Sequence, residues 1–256
     1  MTVDRDGGML SARADRGTTM IQPPRLSTVG AVCAISTVAC FVLGAVAIGS
    51  SGVQLLIPET GKPGLEWIAD VDAASGLFYT GAWLIILMGF LGIGAFVGFY
   101  DVLRDAGRVM VLAPILGTVG LTLVTLSHLV PISMAYELVP AYSDADPAGQ
   151  AALAATFDTF AATALVTNSA GNFLGWGVAV PMFAAAILTM RALPRWIGWL
   201  GILVGVLAGW LGLLSPASGV VEGISSIGFI GFFVFMLNMG VARLRRHDLR
   251  QSVDIQ

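Results

Sequence analysis

The chain has 256 residues, 56% of them hydrophobic and 11% charged, with a mean hydropathy of +0.85 and a formal net charge of −3. A soluble domain carries roughly 25% charged residues to hydrate its surface, so this composition excludes that class and makes the bilayer the natural solvent. No long strand-like alternation appears, which argues against a β-barrel, and nothing points to nucleic-acid binding.

Residues 1–27 are polar, carry Arg5, Arg13, Arg16 and Arg25, and have no hydrophobic pattern. They read as a disordered cytoplasmic tail. Six apolar segments follow, at about 28–50, 76–100, 109–131, 171–190, 197–215 and 223–242. Each is close to the ~20 residues that cross ~30 Å of hydrocarbon. The expected fold is all-α, a polytopic membrane bundle of six transmembrane helices over 28–243, with a second tail at 244–256.

The first segment holds both cysteines, Cys33 and Cys40. Seven residues of helix separate them by ~10 Å, too far for a disulfide, so they read as small buried hydrophobes. Arg25, the apolar run and Ala45-Val46-Ala47 also fit a signal peptide with an A-x-A site. The run is longer than a signal core, which favours the uncleaved reading. The second segment carries Gly94-xxx-Gly98 and ends in Asp101 and Arg104, a solvated helix end with a local ion pair. The third contains His128, with Pro131 and Glu137 beyond it.

A long connection, 132–170, follows. Asp146 and Pro147 form a helix start, and Leu153, Phe157, Phe160, Ala161 and Ala164 recur at helical spacing. The stretch 148–166 therefore reads as an outer amphipathic helix, lying on the membrane or capping the bundle; extension of the fourth helix stays open. The fourth segment has Gly171-xxx-Gly175 and Pro181, which should kink it. The fifth carries Gly201, Gly205 and Gly209, a stripe that lets helix backbones approach closely. These glycines read as internal packing or as an interface with a second copy. Trp196 and Trp199 suit an interfacial belt.

Charge fixes an expected orientation. With the N-terminus inside, twelve of the thirteen basic residues fall on the cytoplasmic side, and Lys62 alone lies outside. That is the positive-inside pattern of a cell-membrane protein with both termini cytoplasmic. Nine acids, Glu59, Glu66, Asp70, Asp72, Glu137, Asp144, Asp146, Asp158 and Glu222, fall outside. Such a face attracts cations and repels anions.

Polar groups in hydrocarbon are costly, so each invites a functional reading. His128, Glu137, Asn168, Asn172 and Glu222 all fall near the outer end and form the candidate binding group. They could converge on an outward-facing pocket for a small molecule, a cation or a lipid headgroup. Taken singly, each also fits a hydrogen-bonded or solvated position. No metal-ligand spacing and no cofactor motif occur. No catalytic set is found either. Gly49-Ser50-Ser51-Gly52 matches the serine motif of intramembrane proteases, but the sixth segment supplies no histidine base. Lys62 lies in a loop, unlike a retinal-binding lysine, and lacks the glycine-rich loop of a phosphate site.

The turn Leu193-Pro194-Arg195-Trp196-Ile197-Gly198, preceded by Gly175-Trp176-Gly177 and a proline-containing helix ending in Arg191, has a recognisable layout. With the acid-led segment from Asp72 to Tyr100 and its close Asp101-Val102-Leu103-Arg104, it resembles a group of uncharacterised bacterial six-helix membrane proteins classed as a domain of unknown function, whose turn reads L-P-R-W-x-G. The resemblance covers about 28–243 and implies a six-helix bundle and no activity. Three function classes stay open: a protein that binds or transports a ligand through the polar pocket, an accessory or structural subunit working through helix contacts with a membrane partner, and a membrane enzyme.

Overall fold

A computed structural model describes residues 26–53, 56–57, 64–217 and 219–253, with the backbone alone at 65, 215–217 and 246–253. The expected tail at 1–27 therefore lies almost wholly outside the described residues. Among those described there is no strand. Six helices are long and apolar enough to cross a membrane: α1 (Leu26–Ser50), α3 (Ser75–Ala106), α4 (Arg108–Asp144), α5 (Pro147–Met190), α6 (Arg195–Leu214) and α7 (Gly219–Arg245, its helix continuing to Val253). A short seventh helix, α2 (Gly64–Ala73), precedes α3. The chain is a multi-pass all-α membrane bundle.

The six spans form a ring in chain order. Each packs on its sequence neighbour, and α7 closes on α1. Outward positions carry large apolar side chains such as Val46, Phe90, Ile115, Leu203 and Ile230, all exposed. Inward positions carry glycine, alanine and phenylalanine. Helices apolar all round have no solvent-driven reason to pair. Close backbone approach and dispersion supply it, and the glycines sit where approach is closest. Gly98 lies against Gly30 of α1, and Gly94 against the Cys33 side chain. Gly120 of α4 meets the backbone of Gly171 and Gly175. On α6, Gly201 packs on Ala184 and Phe235, Gly205 on Pro181, and Gly209 on the backbone of Gly177.

Two departures from the sequence reading concern α4 and α5. The helix expected to stop near 131 continues to Asp144, through Pro131 and Pro140. The stretch 148–166 is part of one unbroken helix from Pro147 to Met190, the extension that the sequence left open, rather than a separate surface helix. Asp146 starts it as expected, its carboxylate accepting from the Gly149 N–H at 2.7 Å. At 37 and 44 residues these two helices exceed the length of a span, and they project together as a hairpin. The amphipathic element at this end is α2. It buries Trp67, Ile68 and Val71 against the hairpin and exposes Glu66, Asp70 and Asp72.

Pro181 acts differently from a simple kink. It cannot donate to the carbonyl of Gly177, and the helix widens into π geometry over Phe173–Ala179. A second π segment, Gly205–Trp210, faces the first. The indole N–H of Trp210 donates to the Gly177 carbonyl at 3.1 Å, supplying the bond that Pro181 cannot make.

The two ends of the ring differ. Toward the arginine-bearing end its centre is filled by Phe96, Phe99, Phe183, Phe232 and Phe235, all buried. Their ring centroids lie 5.5 Å apart for Phe96–Phe183, 6.0 Å for Phe99–Phe183 and 6.5 Å for Phe99–Phe235, the spacing of favourable aromatic pairs. Below this plug a polar tie joins three helices. Arg243 donates to Ser27 Oγ at 2.7 Å, and the Ser27 N–H donates to Asp101 Oδ2 at 3.2 Å. Arg104 stands 3.7 Å from Asp101. Toward the opposite, acid-bearing end the ring is open at its centre.

Candidate functional site

The open part of the ring is a cavity of about 520 Å³, and all six spans contribute to its wall. Four of the five polar residues singled out from the sequence line it: His128 from α4, Asn168 and Asn172 from α5, and Glu222 from α7. Their common level follows from helix geometry. Counting from Arg108 to His128, from Arg191 back to Asn172 and from Arg243 back to Glu222 gives roughly 30 Å each at 1.5 Å per residue. Each group thus stands about one hydrocarbon thickness from the basic end. Glu137 is not brought to this group. It lies exposed on α4, nine residues past His128 and roughly 13 Å further along the helix, because α4 does not end where the apolar run does.

The wall mixes polar and aromatic residues. His128 Nδ1 lies 2.6 Å from the Val124 carbonyl. A carbonyl only accepts, so Nδ1 holds the proton and Nε2 of the neutral ring is an acceptor. Ser127 Oγ, also 2.6 Å from that carbonyl, lies 3.3 Å from Asn168 Oδ1 and links α4 to α5. One helical turn further, Asn172 Oδ1 is buried without a hydrogen-bond partner. One more turn on, Trp176 is only 5% exposed, and its indole N–H is likewise buried without a partner. Native proteins rarely leave such groups unmet, since each costs ~1–3 kcal/mol. Here an acceptor and a donor are unmet on two residues that line one cavity.

Phe41 of α1 and Phe229 of α7 also line the cavity, their rings 5.2 Å apart, with Phe229 4.9 Å from Trp176. Ser225 and Ser226 follow Glu222 along the α7 wall. Sequence reasoning missed Trp176 and these phenylalanines as wall residues, and Ser127 as the buried link behind Asn168. Trp176 sits in the widened turn that Pro181 imposes, so the nearest sequence signal for it is that proline. Gly201, Gly205, Gly209, Gly94 and Gly98 face neighbouring helices of the same ring. Among the described residues no group of three metal-ligating side chains converges.

The family model described as a domain of unknown function, DUF4386, matches residues 26–240 of the chain. No curated protein and no solved structure matches it.

Proposed function

This chain belongs to the DUF4386 family, a domain of unknown function, and from that premise we propose that it is a membrane protein that binds a small molecule in a one-ended cavity. The observation that carries the reading is that His128, Asn168, Asn172 and Glu222, from three helices, line one open-ended cavity, two of whose lining residues carry unmet hydrogen-bonding groups. A largely apolar pocket with a few convergent polar groups is the usual form of a ligand site. The phenylalanine plug supports binding over passage, since it fills the centre of the ring on the basic side. Placing the basic end in the cytoplasm, as the arginine distribution favours, turns the cavity outward from a cell membrane.

An accessory role through the α6 glycine stripe has less support. Gly201, Gly205 and Gly209 are covered by α5 and α7 of the same chain, and a Cβ at any of them would meet their atoms. The binding reading is tested by native mass spectrometry of the protein released from lipid nanodiscs. A discrete added mass is expected on the wild type and not on Ala208→Phe, which places a ring into the cavity. The same mass on both proteins would show that it sits elsewhere and would contradict the reading.

A further inference from the structure

The charge and ring chemistry of the wall point to the class of ligand, and this step rests on the cavity reading above. Among the described residues that line the cavity, Glu222 is the one carboxylate, and none is arginine or lysine. Two other lining residues carry acceptors: Asn172 its Oδ1, unpartnered, and His128, when its ring is neutral, its Nε2. Phe41, Phe229 and Trp176 are contiguous aromatic residues of the lining, and an aromatic ring attracts a cation held over its face. The surrounding end of the molecule has the same sign. Glu66, Asp70, Asp72, Glu137, Asp144, Asp146 and Asp158 lie there, and every described arginine lies at the other end. Such a distribution concentrates cations at the mouth and excludes anions. The indole N–H of Trp176 adds one opposite demand, for an acceptor on the ligand. We infer that the cavity takes an organic cation, a protonated amine on an apolar body that also carries a hydroxyl or carbonyl oxygen. The ammonium is held between Glu222 and the aromatic wall, and the oxygen meets Trp176.

The test uses the full chain in nanodiscs of zwitterionic lipid, titrated calorimetrically with phenylethanolamine and with phenethyl alcohol, which shares the apolar body but has no amine. Phenylethanolamine should bind about ten-fold more tightly or better, the scale of one desolvated cation–aromatic contact. Glu222→Gln should reduce that advantage while leaving the alcohol unchanged. Trp176→Phe should weaken phenylethanolamine relative to phenethylamine, which lacks the oxygen. Equal binding of amine and alcohol, abolished by Ala208→Phe, would overturn the cation assignment and leave the cavity reading standing. Binding of neither probe, in a protein whose melting temperature neither shifts, would overturn the cation assignment; a native mass unaltered by Ala208→Phe would overturn the cavity reading separately. An unchanged amine preference in Glu222→Gln would also overturn the cation assignment.

Discussion

Asn172 is the residue at which a binding wall and a packing wall make opposite predictions. Its Oδ1 is buried and unmet, so in the ligand-free protein it is a cost of ~1–3 kcal/mol that no contact returns. Asn172→Leu keeps the volume and removes the orphan. It should raise ligand-free stability by about 1 kcal/mol, read by denaturant unfolding in detergent, and should weaken probe binding. A residue kept for packing would lose stability instead. Trp210 gives the converse case. Its N–H is used, on the Gly177 carbonyl that Pro181 cannot serve. Trp210→Phe should therefore lower stability by about 1 kcal/mol in the same measurement. These two indole and amide groups lie on neighbouring elements, and their opposite signs separate a met bond from an unmet one.

At the scale of elements, the π segments of α5 and α6 are held by glycine on both sides. Gly209→Val should push Gly177 away and cost about 2 kcal/mol by overpacking. Gly223→Ala on α7, where a Cβ meets nothing within 4 Å, should be neutral or should stabilise by up to ~1 kcal/mol through helix propensity. Thermal unfolding of the pair checks the contrast. The elements also show what was legible in the sequence. Six spans were, because a run of about twenty apolar residues has few other uses. His128, Asn168, Asn172 and Glu222 were, because a polar side chain stands out against an apolar run. The continuation of α4 was hidden because the apolar run ends near Pro131 while the helix does not, and α2 was too short to signal itself. Trp176 was hidden because tryptophan reads as apolar, and its unmet N–H exists only once the helix has widened around Pro181. The phenylalanine plug was hidden for a related reason: in a helix apolar on all faces, the pattern does not say which face turns inward.

At the scale of the molecule, the protein is a ring of six helices filled at one end and hollow at the other. The filling is structural as well as a seal. Phe183→Ala, at a fully buried position, should cost about 3–5 kcal/mol and extend the cavity toward the basic end. The most direct measurement is thiol accessibility in sealed vesicles of known orientation, in a background lacking Cys33 and Cys40. A membrane-impermeant thiol reagent added on the acidic side should label Ser225→Cys on the cavity wall, with phenylethanolamine slowing the labelling, while Phe183→Cys in the plug stays unlabelled from the basic side. Labelling of Phe183→Cys from the basic side, or a Ser225→Cys that no side can label, would contradict a one-ended binding cavity.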